Sequence, residues 1–362
     1  MSEQKALQIV RQQIDAVDEK IQALLNERTA LAHQVAEIKQ SVGDQSDFYR
    51  PEREAMILRN VMTRNAGPLS NTEMARLFRE IMSACLAAEK PLRIAYLGPE
   101  GSFTQAAALK HFGGSVQLQT MPTIADVFHS VETGQACYGV VPVENSTEGM
   151  VSHTLDRFVS SSLKINGEVT LRIHHYLLSN APQLFDINKV YAHPQALAQC
   201  RHWLTENLPD VEQIPVNSNA EAAKRVGKEQ GNCAAIAGNR AAEIYQLSIL
   251  ANNIEDEVGN TTRFLVIGSQ DVGPSGDDKT ALLVSTKNKP GALQNLLQPL
   301  AESGISMSRI ESRPSRKGIW EYVFFIDIDG HSQDSGVATA LKILESESSM
   351  FRVLGSYPKA VL

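Results

Sequence analysis

Glu144-Asn145-Ser146-Thr147-Glu148-Gly149 stands directly after the apolar run Val140-Val141-Pro142-Val143. The run predicts a short buried strand, and in an open α/β sheet ligands sit at the carboxyl ends of strands. Asn145, Ser146 and Thr147 offer neutral donors and acceptors, Glu144 and Glu148 carboxylates. With no glycine-rich phosphate loop, the stretch suits a small polar organic substrate; the plainer alternative is a strand ending in an ordinary turn. A second place for chemistry lies near the N-terminus. Leu7, Val10, Ile14, Val17, Ile21, Leu24, Leu31, Val35 and Ile38 recur in a three-four rhythm, and the slot between Leu24 and Leu31 holds Arg28. A buried cation is costly unless an anion meets it. Lys39 falls about 20° from Arg28 around a helix, whereas Arg11 lies about 100° round and suits a partner's site. With Arg53 and Glu54 further on, cations converging in an apolar bundle suit a small dianion such as a dicarboxylate. The alternative is Arg28 as a register-setting residue paired with a glutamate.

The elements that position these groups divide the chain in three. Residues 1 to 91 read as all helix, with a break around Gly43, Pro51 suited to a first turn, and Ser70 with Glu73 at capping-box spacing. A first helix of about 35 residues is roughly 50 Å long at 1.5 Å per residue, too long for two short helices to cover, so the segment is expected to dimerise. From 92 to 270, β-rich runs (Arg93–Leu97, Tyr138–Val143, Val169–Leu178, Val190–His193, Ala234–Ala237, Phe264–Ile267) alternate with helical stretches such as Glu221–Lys228, an α/β pattern. Asp271 to Lys279 is rich in Gly, Pro, Ser and Asp and reads as a linker. From 279 to 362 the order is βαββαβ, a ferredoxin-like unit.

A length of 362 residues, 43% hydrophobic and 21% charged, fits two or three globular domains. Net charge is −7, from 34 Lys+Arg against 41 Asp+Glu, which argues against a nucleic-acid partner. The four cysteines lie far apart, with no CxxC. They point to a reducing, cytoplasmic setting with neither disulfides nor a cysteine metal site. The N-terminus does not read as a signal peptide, and no apolar run approaches the ~20 residues of a membrane span. His174-His175 invites a metal reading, but adjacent strand residues face opposite sides. No metal and no cofactor is expected.

Val10-Arg11, Asp18-Glu19-Lys20, Leu24-Leu25-Asn26-Glu27-Arg28, Lys39, Pro51-Glu52-Arg53-Glu54 and Arg76-Leu77-Phe78-Arg79-Glu80-Ile81 resemble the all-helical chorismate mutases. The resemblance implies a dimer of long crossing helices. Arg28 and the partner chain's Arg11 would hold the two carboxylates of chorismate, and Lys39 a carboxylate and the ether oxygen. Arg53 would support the site and Glu54 take the ring hydroxyl. The pericyclic rearrangement to prephenate needs no nucleophile, only selection of a compact conformer and stabilised charge on the ether oxygen. Glu89 stands where some members have glutamine. A carboxylate only accepts hydrogen bonds, so Glu89 must be protonated to donate.

Tyr96 to Thr104, Tyr138 to Gly149, Ile165-Asn166-Gly167-Glu168, His193 to Leu197, Ala234 to Ala237 and Asn260-Thr261-Thr262-Arg263-Phe264 resemble prephenate dehydratases. That implies a two-lobed domain similar to periplasmic binding proteins, with the site in the cleft. It also implies loss of carboxylate and ring hydroxyl from prephenate to give phenylpyruvate. Thr262 is the main catalytic candidate, acting on the leaving hydroxyl. Asn145, Ser146, Thr147 and Gln195 would bind substrate, with Ser102 and Thr104 as further donors. Arg263 is either a carboxylate ligand or a brace, and Glu144 either a site acid or a structural acceptor.

Lys289 to Leu297 and Glu311-Ser312-Arg313-Pro314 resemble ACT regulatory domains of dehydratases, where phenylalanine binds between paired domains and inhibits. The implied effector residues are Asn288, Gly291, Ala292, Leu293, Glu311, Ser312, Arg313 and Pro314. Together the resemblances imply a homodimeric or larger enzyme acting on chorismate and prephenate and sensing phenylalanine. Two rivals remain: a non-catalytic aromatic-acid sensor, and a dehydratase whose helical segment is only a dimerisation arm.

Overall fold

The computed structural model describes residues 3–41, 49–229, 231–286, 289–314 and 322–362. α1 (Glu3–Ser41) is one unbroken helix, about 58 Å long at 1.5 Å per residue. α2 (Pro51–Arg64) starts at its proline, and α3 (Asn71–Glu89) at Ser70, whose Oγ accepts from the Glu73 N–H at 3.1 Å. Leu58, Ala75 and Met82 form a small core between α2 and α3. α1 lies against α3, yet each of its nine seam residues from Leu7 to Ile38 is 50% or more exposed. An apolar stripe of that length bare to water is the kind of surface that marks an interaction site.

The middle of the chain forms two α/β lobes. The first holds β1 (Arg93–Leu97), α4 (Phe103–Phe112), β2 (Gln117–Met121), α5 (Ile124–Glu132), β3 (Tyr138–Asn145), β4 (Gly149–Met150), α6 (Ser152–Ser160) and β5 (Lys164–Arg172). The second holds β6 (Tyr176–Ser179), β7 (Lys189–Ala192), α7 (Pro194–Gln199), α8 (Arg201–Asn207), β8 (Glu212–Pro215), α9 (Asn219–Val226), β9 (Cys233–Ala237), α10 (Asn239–Tyr245) and β10 (Ser248–Ala251). β11 (Thr261–Gly268) then returns to the first sheet, whose order is β2-β1-β3-β11-β5, with β4 on β3; the second is β10-β6-β9-β7-β8. The run Val169–Leu178, expected as one strand, is therefore two strands in different sheets. The chain crosses between lobes at Ile173–His175, and apolar residues on both sides of the crossing conceal it in the sequence.

The last segment is β12 (Asp278–Ser285), α11 (Ala292–Glu302), β13 (Met307–Pro314), β14 (Tyr322–Asp329), α12 (Ser335–Glu347) and β15 (Met350–Pro358), with sheet order β13-β14-β12-β15. One face of this sheet carries its helices on Leu282, Val284, Ile326 and Ile328. The other face, through Ala281, Leu283, Val323 and Phe325, shares a core with Phe128, Val143, Phe158, Leu265 and Ile267 of the first lobe. β15 lies directly against β5. A Cβ on Gly355 would collide with the backbone of Ile165, so the approach needs glycine.

Candidate active sites

The helical segment borders an open cavity of about 600 Å3. α1 contributes Arg28, Leu31, Ala32, Val35 and Lys39, α2 contributes Glu52, Arg53, Glu54 and Ile57, and α3 contributes Met82, Cys85, Leu86 and Glu89. Five of the sequence-predicted residues thus share one wall-to-wall space: three cations and two carboxylates around an apolar floor. Arg11 is not among them. It is exposed on α1, about 26 Å along the axis from Arg28 at 1.5 Å per residue, so only a second chain can bring an Arg11 here. Glu54 is held by Arg79 at 3.0 Å. Burial raises its pKa and Arg79 opposes the rise. Burial likewise holds the Glu89 carboxyl above its ordinary range, against the lowering pull of His33, Lys39 and Arg28. Tyr49 and Arg50 also line the cavity; no periodic signal marked them, because they precede α2.

In the first lobe, β3 and β11 are antiparallel neighbours with Thr262 opposite Asn145. Asn145 Nδ2 donates to Thr262 Oγ1 and to Asn260 Oδ1, each at 2.8 Å. Thr262 Oγ1 is therefore an acceptor in the protein, and its own hydrogen is directed elsewhere. Asn145 Oδ1 takes the N–H groups of Thr147 and Glu148 at 3.0 and 3.1 Å, which folds the hairpin tip. Ser146 Oγ accepts from Thr261 N–H at 2.9 Å, so it ties the tip to β11.

The network continues into the second lobe. Asn260 Nδ2 donates to Gln199 Oε1 at 3.2 Å, and His175 Nε2 lies 2.9 Å from the same oxygen. Gln199 Nε2 is buried with no partner among the described residues. A cavity of about 220 Å3 opens beside these groups, lined by Thr147, Glu148, Gln199, Asn260 and the acidic run Glu255-Asp256-Glu257. Asn260, Gln199 and His175 were missed in the sequence; Gln199 lies one helical turn beyond the predicted Gln195 on α7, the spacing that would have found it. Gln195 is half-buried. Ser102 and Thr104 are not brought into this network. Ser102 caps α4, accepting from Gln105 N–H at 3.3 Å and donating to Leu97 O at 3.1 Å, and Thr104 is buried in the first turn.

The family model for prephenate dehydratase matches residues 94–272, that for chorismate mutase type II residues 10–90, and that for the ACT domain residues 280–346. A bifunctional chorismate mutase/prephenate dehydratase of Stutzerimonas stutzeri is 56% identical over 366 residues, covering 100% of both chains. The chain belongs to the bifunctional chorismate mutase/prephenate dehydratase family. The solved prephenate dehydratase of Arthrobacter aurescens in complex with L-Phe is 35% identical with a TM-score of 0.69, covering 74% of this chain and 90% of that one. GqqA, described as a novel type of quorum quenching acylase, is 31% identical with a TM-score of 0.69, covering 74% and 98%.

In the ACT segment, Gly291 holds φ at +76° at the start of α11, ahead of Ala292 and Leu293, and Glu311 to Pro314 close the edge strand β13. Asn288 lies outside the described residues. Arg313 is turned to the dehydratase lobe, with Nη1 2.6 Å from Ser152 Oγ and Nη2 2.9 Å from Asp156. Arg263 is also turned away from the cleft. Its nitrogens donate to Glu168 at 2.8 Å, Asp327 at 2.7 Å and the Tyr357 hydroxyl at 2.9 Å. Of the two roles open to it, the geometry favours the brace. Glu144 is 3.8 Å from Arg309, which favours an acceptor role for it. His174 pairs with Glu255 at 2.7 Å while His175 turns to Gln199, so the two do not converge. Among the described residues, no three His, Cys, Asp or Glu side chains gather to hold a metal ion, and no helix is long and apolar enough to cross a membrane.

Proposed function

We propose that this chain rearranges chorismate to prephenate in the helical segment, residues 1–91. Residues 92–270 then convert prephenate to phenylpyruvate, under phenylalanine control through residues 279–362. The observation that carries the reading is that Arg28, Lys39, Arg53, Glu54 and Glu89 line one cavity, while Thr262 and Asn145 are hydrogen-bonded beside a separate cavity lined by Thr147, Gln199 and Asn260. In the first site Arg28 and the partner chain's Arg11 take the substrate carboxylates, and Lys39 and protonated Glu89 donate to the ether oxygen as its bond to carbon breaks. Glu54, fixed by Arg79, takes the ring hydroxyl. This needs a homodimer, and the bare seam of α1 supports one.

In the second site the ring carboxylate leaves as carbon dioxide. Its electron pair completes the aromatic ring, and the hydroxyl departs as water after gaining one proton. Thr262, whose oxygen is occupied by Asn145, directs its hydrogen to that hydroxyl; Asn145, Ser146, Thr147 and Gln195 orient the substrate, and Gln199 adds a donor. Gly291 to Leu293 and Glu311 to Pro314 form the effector site when ACT segments pair. Cys85, Cys137, Cys200 and Cys233, all free, suit a reducing, cytoplasmic setting. The acylase description belongs to GqqA.

Thr262→Val tests the assignment. It keeps shape but removes the hydrogen, so phenylpyruvate formation falls by about 10²- to 10⁴-fold while chorismate consumption is unchanged. Unaltered phenylpyruvate formation would remove Thr262 from the mechanism.

A further inference from the structure

Each of the paired residues Asn145 and Thr262 has a charged neighbour in the chain that points through the sheet to the ACT segment. Beside Thr262 is Arg263, held by Asp327 of β14 and Tyr357 of β15. Beside Asn145 is Glu144, 3.8 Å from Arg309 of β13. Arg263 and Glu144 are themselves cross-strand partners, as are Thr262 and Asn145. A β-bulge makes this possible. Arg263 pairs Glu144 but Phe264 pairs Pro142, so Val143 is the extra residue on β3. Strict alternation from Val141 and Val143, which face the ACT side, would send Asn145 to that side too. The bulge reverses the parity, so that Asn145 meets Thr262 and Glu144 faces the regulatory sheet.

Behind the sheet the Arg263 contacts are largely buried and share partners, while Glu144 is partly exposed. Asp327 Oδ2 accepts from Arg263 at 2.7 Å and lies 3.8 Å from Arg309. Glu168 of β5 takes Arg263 at 2.8 Å and Lys279 of β12 at 2.9 Å. Arg309 stands opposite Asp327 on the neighbouring strand, two residues before Glu311. A displacement of β13 against β14 therefore reaches the Arg263 guanidinium, and close-packed strands pass small shifts on.

We propose that Arg263 and Glu144 are positioning residues that set the Asn145–Thr262 pair according to the state of β13, with Asp327, Tyr357 and Arg309 as their counterparts on the ACT side. The inference rests on the phenylalanine reading above. It is tested in the full-length protein with Asp327→Asn and Tyr357→Phe, neither of which lies in the cleft or the effector stretches. Phenylalanine binding is followed by calorimetry, dehydratase turnover with and without saturating phenylalanine, and mutase turnover as a control of folding. Both variants should bind phenylalanine saturably and keep mutase turnover. Their residual dehydratase turnover at saturation should rise by about fivefold or more over the parent's, the scale of an ordinary coupling.

Variants that bind phenylalanine and fall to the parent's residual turnover overturn the relay. A parent whose turnover phenylalanine leaves untouched overturns the effector reading instead. Should Asp327→Asn fail to fold, Tyr357→Phe, which removes a single hydroxyl acceptor, decides the matter alone.

Discussion

Thr262 and Arg263 adjoin in the chain and serve different domains, because successive strand residues face opposite sides of a sheet. The two-residue period puts Arg263 on the face opposite Thr262, but the sequence leaves its role open between a carboxylate ligand and a brace. The period could not place Glu144 and Asn145, since the bulge at Val143 shows only in the pairing with β11. Burial acts to lower the Arg263 pKa, and Tyr357, Asp327 and Glu168 outweigh it, so the guanidinium stays charged. Removing one member of such a group strands the others. Arg263→Ala is expected to destabilise the protein by about 3–5 kcal/mol, measured by denaturant unfolding. In the mutase cavity, the raised Glu89 pKa keeps this carboxyl protonated to higher pH than an ordinary glutamate. Only the protonated form donates to the ether oxygen, so mutase kcat/KM should fall as pH rises through that pKa. Glu89→Gln, a donor at every pH, should flatten the profile; an unchanged profile would exclude Glu89 from the ether oxygen.

At the scale of elements, the proposed mutase site draws on two copies of α1. The seam of α1 is bare along its whole length, and Arg11 sits too far along the axis to serve its own cavity. Protein carrying Arg11→Ala and protein carrying Arg28→Ala should each be nearly inactive as mutases. Mixed after partial unfolding and refolding, they should regain about a quarter of the parent rate per site: half the dimers are then mixed, and each mixed dimer carries one site with both arginines. No regain on mixing would contradict a shared site.

The helical rhythm, the Ser70 cap, the βαββαβ order and most strands could be read from periodicity and caps. The crossing at Ile173–His175 could not, because its flanking residues are apolar on both sides, nor could the two-residue β4, the largely polar edge strands β2 and β8, or β10 at the opposite edge of the second sheet. Arg313, an effector residue by resemblance, also lies against Ser152 and Asp156, a contact between domains that no local pattern encodes.

Over the whole molecule, three segments are packed into one body through named contacts. Arg59 of α2 donates to the carbonyls of Ser275 and Asp277 at 3.0 and 2.8 Å, which fixes the linker to the helices. Tyr49 lines the mutase cavity while packing with Phe112 and Tyr138 in the dehydratase core. The ACT sheet spends a whole face on the dehydratase lobe. The effector segment is therefore built against the strands β3, β5 and β11 of the dehydratase lobe. The most direct test is a time course of the purified full-length protein supplied with chorismate alone, following chorismate, prephenate and phenylpyruvate together. Chorismate should disappear and phenylpyruvate appear in equal amount by way of prephenate, with phenylalanine slowing the last step. Chorismate left intact while added prephenate still reacts would contradict the two-site account and leave the helices as a dimerisation arm.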